Sequence, residues 1–152
     1  MRHCIPLLFS VILLSLVYGC GAKLSTANAQ YERGEYFAAA TTYRKVYNKT
    51  PAKERTKRGQ IAFRIGECYR RLNAAPRSAA GYQNAVRYDY PDSTALFYLA
   101  RAMQMQGKYK EAQKNYEAFL ALKPDDRMAE NGLQGCEAAP GWKASPTRYV
   151  VK

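Results

Sequence analysis

The stretch GKYKEAQKNYEAFLALKP, residues 107–124, decides the fold because an earlier stretch repeats its pattern. That earlier stretch is GEYFAAATTYRKVYNKTP, residues 34–51. In both, a glycine, a tyrosine, an alanine, a second tyrosine, a large apolar residue and a proline follow one another at spacings of 2, 3, 4, 3 and 5. A pattern that recurs without a gap indicates two copies of one structural unit.

A looser copy lies between these two. Its corresponding residues are Asn73, Ala75, Ser78, Tyr82, Ala85 and Pro91. The turn positions Gly34, Asn73 and Gly107 are 39 and then 34 residues apart. The five extra residues fall in AKERTKRG, residues 52–59, which we interpret as a basic connection after the first copy.

The three copies resemble the tetratricopeptide repeat (TPR), a helix–turn–helix unit of about 34 residues. Glycine at the turn can adopt the positive φ that closes the first helix. Small residues on facing helices allow close approach, and the later tyrosine of each copy fills the space between repeats. Proline then stops the second helix, because it lacks an N–H and clashes with the preceding turn.

This resemblance implies an all-α TPR solenoid with three repeats and a C-terminal capping helix. The repeat domain spans residues 20–139, with repeats at about 20–53, 59–92 and 93–126 and the capping helix at 127–139. First helices are predicted at 23–33, 57–72 and 93–106, and second helices at 36–48, 76–87 and 109–122. In the capping helix, Asp125 or Asp126 can cap the N-terminus, while Met128, Leu133 and Cys136 can face the third repeat.

Both ends of the chain differ from the repeats. Residues 1–19 combine Arg2 with an apolar run at 5–17, which is the length of a signal peptide's hydrophobic region and too short for a spanning helix. A buried core helix is the alternative, but this run has no polar face. Residues 140–152 contain two prolines and a glycine, and we expect an irregular tail or the start of a further β domain, with a short strand at 148–151.

Two cleavage sites compete after the apolar run. An ordinary signal peptidase could cut after Ala29, but that cut would remove most of the first helix. Alternatively, LVYGC resembles a lipobox, although Tyr18 departs from its usual small residue, and lipoprotein processing would cut before Cys20. We favour Cys20 as the lipidation site, carrying a covalent diacylglycerol and an N-acyl chain. No other cofactor is expected.

Charge and cysteine usage narrow the possible partners. The chain has a formal net charge of +12, which becomes 23 − 12 = +11 once Arg2 is removed with residues 1–19. Because an exported chain does not meet the genome, we expect no nucleic-acid partner; anionic lipid, a cell-wall polymer or an acidic protein remains open as the partner, as does a generic solvated surface with no partner.

Cys68 and Cys136 are expected to be buried thiols, with a disulfide bridge between them as the alternative.

The first helices of stacked repeats form a concave groove, and we expect a partner to bind there. The predicted groove residues are Tyr31, Phe63, Glu67, Arg70, Arg71, Phe97, Arg101 and Gln104. Aromatic residues interleaved with arginines suit an extended peptide that has apolar anchors and acidic groups. The alternative is that Phe63 and Phe97 simply pack inside the superhelix. Binding of chaperone C-termini is not expected, because Leu24 and Thr94 occupy positions where the carboxylate-clamp type of repeat has basic residues.

Enzymatic activity and a metal site are not expected. The single histidine, His3, lies in the predicted signal peptide, and the sequence has no glycine-rich phosphate loop and no metal-ligand spacing. Carboxylates such as Glu32 and Glu111 fall on exposed helix faces. The sequence therefore favours an interaction module.

A lipobox, immediate repeats and the C-terminal ASPTRYVVK resemble the N-terminal part of a lipoprotein family associated with type IX secretion. In that family the repeats precede a β-propeller and an OmpA-like peptidoglycan-binding domain. This sequence contains neither, so we expect peptidoglycan to be contacted only through such additional domains. The resemblance implies a lipid-anchored scaffold on the periplasmic face of the outer membrane, whose partner is an envelope or secretion-system protein. A soluble periplasmic peptide-binding or regulatory module is the alternative.

Overall fold

The computed structural model describes the backbone of residues 23–144 and the side chains of residues 23–139. Within this part of the chain there are seven α-helices and no strands. The helices are α1 (Leu24–Glu32), α2 (Tyr36–Lys49), α3 (Arg55–Arg71), α4 (Ala75–Arg87), α5 (Thr94–Gln104), α6 (Tyr109–Leu120) and α7 (Arg127–Ala144).

Each helix packs against its neighbours in the sequence, and α7 contacts α5 as well as α6. The pairs α1–α2, α3–α4 and α5–α6 are the three repeats, and α7 covers the open side of the third. The fold is an all-α TPR helical solenoid, which confirms the predicted fold class.

The turns inside the three repeats share one backbone conformation. Gly34 and Gly107 have φ of 77° and 72°, and Asn73 has φ of 53° in the corresponding turn. This left-handed region suits glycine, and asparagine tolerates it better than most residues do. The substitution of asparagine for glycine in the middle repeat therefore preserves the turn.

Small residues permit a close helix crossing at the centre of the second repeat. A Cβ atom added to Gly81 on α4 would lie only 2.5 Å from the Gly66 nitrogen on α3. Beside this crossing, the buried Ser78 hydroxyl donates a hydrogen bond of 3.2 Å to the Gly66 carbonyl. The corresponding alanines of the other repeats, Ala39 and Ala112, are fully buried.

The basic connection after the first repeat is partly helical, because α3 begins at Arg55 rather than at the predicted residue 57. Arg58 donates a hydrogen bond of 2.6 Å to the Thr50 carbonyl just after α2, and its guanidinium lies 4.0 Å from the centre of the Tyr47 ring. Arg55 donates a hydrogen bond of 2.8 Å to the Arg87 carbonyl at the end of α4. These arginines satisfy carbonyl groups that helix ends leave unpaired.

Helix α7 begins as predicted but differs in its buried face and its end. The Asp126 side chain accepts hydrogen bonds of 3.0 Å from the backbone N–H groups of Met128 and Ala129, which identifies the cap. Packing against the third repeat buries Ala129 and Cys136 and leaves Met128 exposed, so the prediction that Met128 faces the third repeat was wrong.

The backbone of α7 continues to Ala144, five residues beyond the predicted end at residue 139. Pro140 lies inside this helix and does not end it, although an interior proline removes one backbone N–H donor and crowds the preceding turn. The predicted signal peptide, Cys20 and the predicted strand at 148–151 lie outside the described residues.

Cys68 and Cys136 are free, buried thiols. They lie in different core clusters, one in the first two repeats and one between the third repeat and α7. Burial raises the pKa of Cys68 to about 12 and also raises that of Cys136, so both thiols stay protonated at neutral pH. Neither cysteine has the properties of a reactive thiol.

Candidate functional site

The first helices α1, α3 and α5 form the candidate site, because in this architecture they line the concave side of the stack. A groove of about 450 Å³ lies between α1, α3 and the loop before α5. Its lining residues include Leu24, Asn28, Gln60, Phe63, Arg64 and Tyr90. The Phe63 and Tyr90 rings are stacked, with their centres 4.3 Å apart, and provide the flat apolar wall of this groove.

Glu67 is the centre of a buried hydrogen-bond network beneath the groove. Arg70, one turn further along α3, donates two hydrogen bonds to its carboxylate, at 2.9 and 2.7 Å. The Tyr82 hydroxyl of α4 also donates to this carboxylate, and the Tyr31 hydroxyl of α1 lies 3.5 Å from it. The network therefore links two neighbouring repeats.

The ionisation of Glu67 follows from these partners. Burial by itself would raise the pKa of Glu67, but hydrogen bonds from Arg70 and Tyr82 and the nearby arginine charges outweigh burial, and the pKa lies below its ordinary value. Burial and the Glu67 carboxylate raise the pKa of Tyr82. Glu67 is thus a carboxylate at neutral pH whose oxygens already have donors.

The equivalent tyrosines of the other repeats also donate to polar groups on the first helix. The Tyr43 hydroxyl donates to Asn28 at 2.7 Å, and the Tyr116 hydroxyl donates to Gln104 at 2.9 Å. In the third repeat, the position equivalent to Asn28 is Arg101, which has no acceptor. Tyr116 therefore uses Gln104, about one turn further along α5.

Three arginines project from the concave side without a carboxylate partner among the described side chains. They are Arg64, Arg71 and Arg101, and all three are exposed. Their guanidinium groups lie 5.3, 5.9 and 5.8 Å from the ring centres of Tyr31, Tyr36 and Phe97, respectively. Each is therefore positioned by a ring while most of its donors remain available for a ligand.

A second, smaller cavity of about 160 Å³ lies between the ends of α3 and α5. Arg70 and Arg101 line it together with Tyr98 and an apolar surface that includes Met105. The Arg70 guanidinium lies 4.8 Å from the Tyr98 ring centre. The concave side thus presents two depressions, each with cationic and aromatic side chains.

The predicted groove residues divide into exposed and buried groups. Arg71 and Arg101 are exposed, and Tyr31, Phe63 and Arg70 are half-buried near the two depressions. By contrast, Glu67 and Phe97 are buried in the helix packing, and the half-buried Gln104 accepts a hydrogen bond from Tyr116.

Phe97 illustrates why sequence position alone did not distinguish partner-contacting residues from core residues. Its ring packs against Tyr116 and Phe119 of α6 and is 7 % exposed, so it stabilises the third repeat from within. For Phe97, the structure therefore agrees with the alternative interpretation, in which this ring packs inside the superhelix. Whether the remaining residues bind a partner stays a prediction.

Arg64 was missed at the sequence level, although a signal for it was present. It lies four residues after Gln60 and seven before Arg71, on one exposed stripe of α3. Reading that stripe would have found the residue. Tyr90 lacks such a signal, since it lies in the loop between α4 and α5 and reaches Phe63 only through the tertiary fold.

The remaining chemistry of the described part of the chain is sparse. Residues 23–144 contain no cluster of histidine, cysteine, aspartate and glutamate side chains that could hold a metal ion. Over the same residues, no helix combines the length and apolar character needed to cross a bilayer.

Comparison with known protein families agrees with this architecture. Residues 93–126, which form the third repeat, match the tetratricopeptide repeat family. A search of curated proteins found no match to the chain.

Solved structures also resemble the chain. The C-terminal TPR-containing domain of a Plasmodium falciparum protein described as FK506-binding has a TM-score of 0.64 and 17 % identity, over 80 % of this chain and 87 % of that one. The first TPR domain of Spaghetti (RPAP3), bound to the HSP90 peptide SRMEEVD, has a TM-score of 0.61 and 23 % identity, over 77 % of this chain and 89 % of that one. At these identities the similarity concerns the fold.

Proposed function

We propose that this TPR chain is a non-enzymatic, lipid-anchored scaffold whose concave side binds an extended acidic segment of another envelope protein. The observation that carries the binding role is the set of three exposed arginines, Arg64, Arg71 and Arg101, without carboxylate partners in the described structure. A guanidinium presents several donors in a fixed plane and suits a carboxylate ligand.

The chemistry of the groove narrows the class of segment. Phe63 and Tyr90 offer an apolar wall beside Arg64, so an aromatic or aliphatic side chain next to an acidic one fits this depression. The cavity beside Arg70 and Arg101 offers a second such combination. An extended peptide can reach both along the first helices. The carboxylate-clamp mode is not proposed, because Leu24 and Thr94 are not basic.

The lipid anchor rests on the N-terminal sequence. LVYGC places Cys20 after a small residue, and α1 begins at Leu24, only four residues later. Cleavage before Cys20 would preserve α1, whereas cleavage after Ala29 would remove most of it, including the buried Ala27. More than one acyl chain would be needed for stable anchoring.

We place the scaffold on the periplasmic face of the outer membrane, as a component of type IX secretion or a tether for it. This part of the proposal is supported by the order of lipobox, repeats and C-terminal segment, which resembles the N-terminal part of that lipoprotein family. Peptidoglycan would be contacted through other domains of such an assembly, not through these repeats.

The groove is tested by comparing two charge-reversed forms of the full chain. One carries Arg64→Glu and Arg101→Glu on the concave side, and the other carries Lys110→Glu and Lys114→Glu on α6. Both change the net charge equally. After crosslinking in membranes, we expect partner recovery to fall sharply in the first form alone. Equal recovery from both forms would reject the concave side as the docking surface.

The anchor is tested by metabolic labelling with a palmitate analogue in the wild-type chain and in Cys20→Ala. Label on the wild type and none on the variant is expected. Label that persists in Cys20→Ala, or that is absent from both chains, would instead leave a soluble periplasmic module as the better description.

A further inference from the structure

The outward sides of α2 and α4 carry positive charge without negative charge. These two helices contain 14 and 13 residues, and neither contains an aspartate or a glutamate. Their basic residues are Arg44, Lys45, Lys49, Arg77 and Arg87. All five side chains are exposed. We call this surface the outer basic face.

This charge pattern differs from that of α6 and α7, although the solenoid is basic elsewhere too: α3 has six basic residues and one glutamate, and α5 has Arg101 and no acidic residue. On α6, the exposed Lys110 and Lys114 are accompanied by the exposed Glu111 and Glu117. The described side chains of α7 also include both signs. A solvated surface ordinarily mixes the two signs, as α6 does. The basic side chains of α2 and α4 therefore lack the acidic neighbours on the same helix that those of α6 have.

A shallow cleft of about 370 Å³ runs between α2 and α4. Arg44 and Arg77 stand on opposite sides of it, and Tyr69 of α3 contributes to its floor. The Arg77 guanidinium lies 5.5 Å from the Tyr69 ring centre. Neither arginine has a carboxylate partner among the side chains that the structure describes.

An exposed phenylalanine lies on the same side of α2. Phe37 is 64 % exposed, and it precedes Arg44 by seven residues, which is two helical turns. Phe37 and Arg44 therefore share a stripe along the helix. An exposed aromatic ring beside basic side chains is the combination found on helices that lie at a membrane surface.

We propose that the outer basic face binds the surface of a bilayer that contains anionic phospholipids. Its positive charges are spread over two adjacent helices, so they match a surface with many phosphate groups better than a single buried anion. Arg44 and Arg77 would contact phosphates at the cleft, and Phe37 would enter the headgroup region. This surface is separate from the concave side and does not depend on modification of Cys20.

Such binding would orient the molecule. With α2 and α4 against the bilayer, the first helices α1 and α3 face away from it, because they form the opposite layer of the first two repeats. The concave side would then remain open to a protein partner. A lipid anchor, where present, would add to the same attachment.

Vesicle co-sedimentation of the full chain carrying Cys20→Ala tests the proposal. Vesicles of phosphatidylcholine alone are compared with vesicles that also contain phosphatidylglycerol, at low and high salt. One variant carries Arg44→Glu, Lys45→Glu and Arg77→Glu; its control carries Lys110→Glu, Lys114→Glu and Lys123→Glu, which changes the net charge equally. Residues 1–19 are present in all chains, so their contribution to vesicle binding is the same in the variant and in its control.

We expect the salt-sensitive partition onto anionic vesicles to fall by more than about 100-fold in the first variant. Losing three basic residues at about fivefold each accounts for about 100-fold, and the three added negative charges reduce the partition further. The control should lose much less. A milder triple variant, with Arg44→Gln, Lys45→Gln and Arg77→Gln, guards against misfolding. Its partition onto anionic vesicles should also fall, but by less than that of the glutamate variant. Equal losses in variant and control, or equal binding to both kinds of vesicle, would overturn the proposal.

Discussion

Single side chains in this solenoid carry roles that their neighbours in sequence do not reveal. Glu67 is an acidic residue in a basic helix, and it holds Arg70, Tyr82 and Tyr31 around one carboxylate. Glu67 was predicted to contact a partner, and in the structure it joins two repeats. Its side chain leaves little capacity for a ligand.

Replacing Glu67 by glutamine should lower the free energy of unfolding at pH 7 by about 2 kcal/mol, because hydrogen bonds to the charged carboxylate are lost. The folded-state pKa of Glu67 lies below the ordinary value of 4.5. Its contribution is therefore present above pH 4.5 and is lost as the pH falls through the folded pKa. Denaturant unfolding of wild type and Glu67→Gln, at pH 7 and at pH 3, measures it.

The difference between these two chains should shrink at the lower pH. A difference that stays constant between pH 7 and pH 3 would show that the charge of Glu67 is not what stabilises the network. Other carboxylates titrate equally in both chains, so they do not affect this comparison.

A second prediction at the residue scale concerns the effect of the turn glycines on stability. Gly107→Ala should cost about 1 kcal/mol, because a Cβ atom disfavours positive φ. No atom lies within 4 Å of the added Cβ, so the cost is conformational and not steric. Gly107→Asn is the matched control, since Asn73 already adopts this turn. Thermal unfolding of both variants should rank asparagine above alanine; the reverse order would contradict the explanation.

At the scale of elements, the contact between α3 and α4 is set by two glycines. Gly66 and Gly81 bring the helix backbones so close that neither position has room for a methyl group: a Cβ on Gly81 meets backbone atoms, and one on Gly66 meets the Tyr82 ring at 2.8 Å. The middle repeat departs most from the repeat pattern in sequence, yet its two helices cross too closely to accept a methyl group at either glycine.

Gly81→Ala should destabilise the protein by about 2 kcal/mol, because the two helices must separate to relieve the overlap. Gly135→Ala on α7 is the control. There the added Cβ meets only the end of the flexible Gln104 side chain, at 3.1 Å, and alanine favours the helix by up to about 1 kcal/mol. Chemical denaturation of the two variants should show opposite signs, and a loss of similar size in both would refute the crossing as the cause.

At the scale of the whole molecule, each helix is stabilised mainly by contacts with the adjacent helices of the stack. Each helix contacts mainly the helices next to it in sequence, and α7 closes the end of the third repeat with Ala129, Leu133 and Cys136. In such a solenoid, damage at one end should remain near that end.

Ala129→Asp tests this locality, because it would place a carboxylate in the fully buried contact between α7 and the third repeat. Hydrogen exchange should accelerate in α5, α6 and α7 and change little in α1 and α2. Uniform acceleration along the chain would indicate a single cooperative unit instead.

Charge is also distributed at this scale. The concave side presents Arg64, Arg71 and Arg101 among aromatic rings, while the outer basic face collects the positive charge of α2 and α4. The two surfaces belong to opposite layers of the first two repeats. Under the two proposals, one molecule would contact a protein partner and a membrane surface at the same time.

The sequence by itself determined the helix pairs, the turns and the order of the repeats, because these depend on short, repeated spacings. The positive φ at Gly34 and Gly107, and its retention at Asn73, followed from local rules. Burial of Tyr43, Tyr82 and Tyr116 also followed, since the pattern places the three at equivalent positions.

Only the tertiary structure decided which first-helix residues reach the groove. Phe97 became core and Arg64 became surface because the rotation of each helix about its axis depends on contacts with helices from other parts of the chain. The same is true of the Tyr116 partner Gln104, and of Tyr90, which joins Phe63 from a distant loop. Local spacing specifies which face of a helix is small or aromatic, but the distance between two helices is set only when they pack.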